Sequence, residues 1–178
     1  MSQPLPPKPA KLIVGVILKD RPLLTQVATI LSQTFGAIDM ISPWFDFDFT
    51  HYYEPEMGRP LFRRLLVFQH LIDQEELAGI KLRTNAIETQ LAMNARRRVN
   101  IDPGYLLYER FVLASGKNYS HRIYIGRGIY ADLTLVYQKG AFQTLDWTYP
   151  DYKDQAMRSF LIQVRRCYAM DIAAAPQP

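Results

Sequence analysis

The pattern of hydrophobic and polar positions has two regimes along this chain, and the change falls near residue 97. Before it, apolar runs and helical stripes alternate. Lys11 to Leu18 (KLIVGVIL) is β-branched and almost continuously apolar, which predicts a central strand covered on both faces. Leu23, Leu24, Val27, Ile30, Leu31 and Phe35 follow at helical spacing. Asp20 is placed to cap that helix, Pro22 suits its first turn and Gly36 its end. Trp44 to Phe49 (WFDFDF) alternates strictly, predicting a strand that turns Phe45, Phe47 and Phe49 inward and Trp44, Asp46 and Asp48 to the other face. Leu61 to Leu71 reads as a further buried strand. Asp73 with Glu76 has the spacing of a capping box, opening a short helical turn that Gly79 interrupts, with a second helical start at Asn85.

From Arg97 onward the period is two. The predicted strands are 97–101, 105–114, 121–126, 129–138 and 141–146, separated by Asp102-Pro103-Gly104, SGKNYS, Gly126-Arg127-Gly128 and Lys139-Gly140, all turn-forming sequences. Tyr149-Pro150-Asp151-Tyr152 stops this series. Asp151 is placed to cap a last helix with the apolar stripe Met157, Phe160, Leu161, Val164 and Tyr168. The predicted class is α+β: a βαββα start, with a ferredoxin-like arrangement as one reading, joined to an antiparallel β-meander and covered by a C-terminal amphipathic helix. Residues 1–10 are expected as a flexible leader, 11–172 as one globular domain and 173–178 as a frayed tail.

Composition adds little to this except in its distribution of charge. Hydrophobic residues make up 48% of the 178 and charged residues 21%, a globular balance. The longest apolar run, Leu12 to Leu18, is too short to span a bilayer, so no membrane partner is expected. With Cys167 as the single cysteine no internal disulfide can form, and a reducing, cytoplasmic location is the expectation. Residues 96–128 hold seven Lys or Arg against Asp102 and Glu109, a local +5 within a chain of net +4. Such a field favours an anionic partner.

Candidate chemistry gathers in the same segment. Lys117 and Arg122, with Arg96 and Arg98, are the candidate anion-binding cations. His121 is the acid/base candidate, since its unperturbed pKa lies near neutrality and neighbouring cations favour its neutral form. Asp102, Glu54 and Lys81 are secondary candidates. Lys81, Asn85 and Glu88 read together as a site motif, but a helix cap beside a solvated lysine is the commoner origin of that spacing. Asp46, Asp48, His51 and Glu54 offer oxygen and imidazole donors, yet strands with one wet face routinely carry Asp, and no metal site is assigned. No cofactor is identified. Gly116-Lys117 is followed by Asn118, so the phosphate-loop pattern fails, and no GxGxxG or GxSxG occurs. A straight strand 105–114 is about 33 Å long. It would set Asp102-Pro103-Gly104 as a turn at one end of the sheet and Arg96, Arg98, Lys117, His121 and Arg122 at the other.

Asn100-Ile101-Asp102-Pro103-Gly104-Tyr105, Lys117-Asn118 with His121-Arg122-Ile123-Tyr124, and Thr148-Tyr149-Pro150-Asp151-Tyr152 together resemble a bacterial and archaeal family catalogued only as a domain of unknown function, for which DPG and YPDY are recurrent. Tyr52-Tyr53-Glu54, Glu56-Met57-Gly58 and the Lys81 to Glu88 stretch are similar to it as well, and the resemblance runs from about Lys11 to Met170. Some members carry an automatic label, GTP-binding protein. This chain has neither the phosphate loop nor an NKxD base-reading motif. Three readings stay open: binding or turnover of a small anionic ligand, phosphorylated ones included; a structural or oligomerising module; and nucleic-acid binding with Tyr105, Tyr108, Tyr119, Tyr124 and Tyr130 as stacking platforms. Oligomeric state is not readable from the sequence.

Overall fold

A computed structural model describes residues 3–174. Among them the chain forms nine strands in one antiparallel sheet and five α-helices. In order these are β1 (Ala10–Leu18), α1 (Leu23–Phe35), β2 (Ile38–Ile41), β3 (Phe45–Asp46), α2 (Glu54–Met57), β4 (Phe62–Ile72), α3 (Leu77–Leu91), β5 (Val99–Leu106), β6 (Arg110–Ser115), β7 (Arg122–Gly126), β8 (Ile129–Gln138), β9 (Ala141–Thr144), α4 (Pro150–Lys153) and α5 (Gln155–Ala174). The expected tail starts inside α5, and residues 175–178 of it lie outside the described residues.

The sheet order is β2-β4-β1-β5-β6-β8-β7, with β3 added to β4 and β9 to β8. Its first four members, interleaved with α1 and α3, have the strand order of a ferredoxin-like split βαβ unit. β1 is the middle of that unit and every one of its residues is buried. Leu12, Val14, Val16 and Leu18 pack under α1 and α3, together with Val27, Leu31, Ile80 and Ile87. Ile13 joins the opposite face, where Met157, Phe160, Leu161, Val164 and Tyr168 of α5 cover the sheet. A continuous apolar run is what a strand buried on both faces requires.

Several local expectations need correcting. Asp20 makes no side-chain cap to α1. The WFDFDF strand shrinks to Phe45–Asp46, with Phe47 buried and Phe49 exposed. The Asp73–Glu76 capping box forms, and Asp73 N donates to Glu76 Oε2 at 3.0 Å. The turn it opens does not stop at Gly79: α3 runs unbroken through Asn85. The cap of α5 is Asp154, whose Oδ1 accepts from Ala156 N at 2.8 Å and Met157 N at 3.2 Å, while Asp151 is engaged elsewhere.

The largest correction concerns residues 99–115. Asp102-Pro103-Gly104 is the interior of β5, not a turn. The turn falls at Leu107–Glu109, where Leu107 N donates to Arg110 O at 2.9 Å, and the expected strand 105–114 becomes a hairpin. β6 then pairs with β8, not with its sequence neighbour β7. β8 carries β7 and β9 along its other edge.

Two contacts tie α5 to β1 and the residue before it. Lys11, with a fully buried side chain, pairs with Asp39 and Asp171 at 2.7 Å each. The Tyr168 hydroxyl donates to Pro9 O at 2.9 Å.

Candidate functional site

β5 and β6 pair only from Gly104–Leu113 to Leu106–Phe111. Pro103 has no N–H to offer a further rung. A side chain on Gly104 would collide with the Val112 carbonyl oxygen and meet Leu113 Cδ2 at 2.9 Å, so only glycine allows the strands to close there. Beyond this point they diverge, and a cavity of about 800 Å³ opens in the gap, within the span of about 300–1,000 Å³ common for small-molecule sites.

On the β5 side, α3 takes over where a partner strand is missing. Ile101 N donates to Glu88 Oε1 at 2.6 Å, and Lys81 Nζ donates to Ile101 O at 3.0 Å. Lys81, Asn85 and Glu88, spaced four and three apart, share one helix face and all line the cavity. They belong to a helix interior, not to a cap.

The inner wall is a connected set of buried charges. Arg63 from β4 is ion-paired with Asp151, with Asp102 at 3.7 Å, and its guanidinium lies 5.0 Å from the ring centroids of both Phe47 and Tyr152. Lys81 Nζ stands 3.2 Å from Asp102 Oδ1, and Asn100 Nδ2 donates to Asp102 Oδ2 at 2.6 Å. Burial alone would raise the Asp102 carboxyl, but the Lys81 ammonium and the Arg63 guanidinium outweigh it and hold its pKa below the usual value. The balance is reversed for Glu88 and Asp151, where burial outweighs the neighbouring cations and pushes both pKa values up. Arg97 bonds to Glu56 at 2.7 Å and approaches Glu88 at 3.6 Å. It also donates to Asn100 Oδ1 at 3.1 Å.

Towards the mouth the groups come from β6, β7, β8 and their loops. Asp132 on β8 receives Arg122 Nε at 2.9 Å and lies 3.3 Å from His121 Nε2. Arg122 also donates to Ser115 Oγ at 3.0 Å, to Lys117 O at 2.8 Å and to the Tyr149 hydroxyl. The His121 ring is stacked between Trp147, at 5.1 Å and 11°, and Tyr119, at 5.9 Å and 26°. Lys117 reaches across the mouth to the loop before α2, where Nζ donates to the Tyr52 hydroxyl at 2.9 Å and sits 4.0 Å from that ring's centroid. This contact lowers the Tyr52 pKa.

Of the sequence candidates, the structure brings Lys81, Asp102, Lys117, His121 and Arg122 to this one cavity. The expected separation of Asp102 from Lys117 and His121 fails, because the hairpin folds β6 back along β5. Arg96, Arg98 and Glu54 are not among the lining residues. Arg96 is exposed, Arg98 stands 3.7 Å from Asp20, and Glu54 bonds to His51 and Arg59. Sequence reasoning missed Arg63, Arg97 and Asp151 as site residues. A pair of arginines in front of the apolar run Leu65 to Phe68 is the signal that Arg63 left, since a charge in a buried strand needs a partner. Among the described residues no group of three or more His, Cys, Asp or Glu is placed to hold a metal ion.

The lining holds five Lys or Arg and four Asp or Glu. Among the described residues Lys117 is the one lining cation with no carboxylate within ion-pair distance. No helix of the described chain is long and apolar enough to cross a membrane.

A family model described as a domain of unknown function, DUF4416, matches residues 8–168. Neither the curated proteins nor the solved structures contain a significant match to the chain.

Proposed function

The chain belongs to the DUF4416 family, whose description assigns no activity, and from the cavity itself we propose that the protein binds a small anionic ligand in the gap between β5 and β6. The observation that carries this reading is Lys117: an exposed ammonium at the cavity mouth whose side-chain partner is a tyrosine hydroxyl and not a carboxylate. The other lining cations are neutralised in place. An incoming phosphate or carboxylate would supply the counter-charge that Lys117 lacks, while Arg122, 4% exposed and fixed by Asp132, holds the loop carbonyl of Lys117 at 2.8 Å and so orders the chain that carries it.

Thermal-shift and calorimetric titration with phosphorylated and carboxylated metabolites test the proposal. The expected result is stabilisation by at least one anion, with affinity about tenfold or more weaker in Lys117→Ala, since a hydrogen bond to a charged group contributes about 1.5–3 kcal/mol. Because Lys117 is exposed, the variant should keep the wild-type melting temperature without ligand. No stabilisation by any anion would end the proposal.

Turnover is the stronger form of the same reading, and it would use His121. Held against Asp132 and between two rings, the imidazole has a fixed orientation at the cavity wall, which is what a proton-transfer group needs. A reaction on the bound anion that His121→Asn abolishes, without weakening binding, is the expected signature.

A further inference from the structure

The aromatic side chains that remain exposed are not scattered. Phe49, Tyr52, Tyr119, Tyr124, Trp147 and Tyr149 are the most exposed large aromatic residues among the described residues, and all except Tyr124 line the cavity. Exposed rings gathered at one cleft offer apolar faces to a ligand.

Behind them the inner wall offers hydrogen bonds without free charge. Asp102 retains acceptor capacity towards the cavity, with its side chain 24% exposed there. Asn100, Arg97 and Glu88 line the cavity alongside it, and the Asn100 amide, with one N–H given to Asp102, keeps its second N–H for a further acceptor. Each of these ionic groups is already compensated by a neighbour. A densely charged ligand would have to displace a carboxylate to reach them. A hydroxyl group instead can donate to Asp102 and accept from a neighbouring N–H while leaving the ion pairs intact.

Resting on the reading of the cavity as an anion site, we propose that its ligand is an anionic sugar: one phosphate or carboxylate held at Lys117, ring hydroxyls at Asp102 and Asn100, and an apolar ring face against the aromatic mouth. The three features of the cavity then match three features of one molecule. The near balance of five lining cations against four carboxylates suits a ligand with one anionic group and disfavours a triphosphate chain.

Titration calorimetry on the full-length protein should compare a hexose monophosphate, a hexuronate, the neutral hexose, inorganic phosphate and a nucleoside triphosphate. At least one of the two anionic sugars is expected to bind about tenfold or more tighter than both inorganic phosphate and the neutral hexose, as two sets of contacts act together. The two sugars also separate phosphate from carboxylate as the preferred anion. Phe49→Ala, an exposed position of the mouth whose ring packs on Phe47 and not on His121 or Arg122, is expected to weaken the sugar about three- to tenfold and leave inorganic phosphate unchanged. Lys117→Ala should weaken both. Equal affinity for inorganic phosphate and the anionic sugars, or tighter binding of the triphosphate, would overturn the sugar assignment and keep the anion site. Binding of the neutral hexose alone, or of none of the five, would remove both.

Discussion

Arg63 shows how much of this cavity is decided by single side chains. Its guanidinium is buried against two aromatic rings and held by Asp151 and Asp102, so it acts as fixed internal charge, with no direct solvation to fall back on. Removing one partner of such a pair leaves the other charge buried and costs about 3–5 kcal/mol. Asp151→Ala should therefore lower the stability by an amount of that order, measured by urea unfolding. This cost would accompany any loss of ligand affinity, whereas Lys117→Ala should change affinity alone.

The carboxyls of the inner wall also fix how stability responds to acid. Asp102 has a depressed pKa in the folded protein. Its contribution is present above the unfolded value, near about 3.9, and is lost as pH falls through the lower folded value. Glu88, raised by burial, behaves oppositely. The stability from its protonated form is complete below about 4.3 and is lost as pH rises through its higher folded value. Denaturant titrations at a series of pH values should show that Asp102→Asn reduces the wild-type loss below about pH 3.9. Glu88→Gln should flatten the decline above about pH 4.3. Parallel wild-type and variant curves would rule out these assignments. Lys117, His121 and Arg122 were visible as candidates because unusual polar residues crowd one short segment. Arg63 was hidden because its partners, Asp102 and Asp151, lie 39 and 88 residues away, and no local pattern records such a pairing.

At the scale of the element, two glycines make opposite demands on the chain. Gly79 lies inside α3 with room around it, the nearest atom to an added methyl being Arg127 Nη1 at 3.4 Å, on a flexible side chain. Gly79→Ala should stabilise the protein by about 0.5–1 kcal/mol through helix propensity. Gly104→Ala places the same methyl against the β6 backbone and should destabilise by about 1–3 kcal/mol. Thermal melts of the two variants should move in opposite directions. A glycine read from sequence alone carries no sign. Gly79 looked like a helix breaker and Gly104 like a turn residue, because the choice between tolerance and close approach is made by neighbours distant in the chain. The stripes of α1 and α5 and the apolar run of β1 were legible for the converse reason: each element's burial is written in its own periodicity.

For the molecule as a whole, one displaced turn separates the expected arrangement from the observed one. The α+β class, the antiparallel sheet and the C-terminal helix over it were readable, as was the βαββα start. Placing the turn at Asp102-Pro103-Gly104 instead of Leu107–Glu109 unfolded a hairpin into a single long strand and pulled the site's two halves apart. Period-two patterning runs through both strands of a hairpin and does not mark the bend. The pairing of β6 with β8 was equally unreadable, since strand order depends on which edges remain open once earlier strands have paired.

Lys11 adds a consequence in time. Its second carboxylate partner, Asp171, is made 160 residues after it. Until α5 emerges, the ammonium at the heart of the sheet has Asp39 as its carboxylate partner and lacks the second. Over that interval the nascent β1–β4 layer holds this ammonium with one of its two carboxylates. The last helix acts as a clasp, and its arrival marks the point at which the early strands can settle into their final burial.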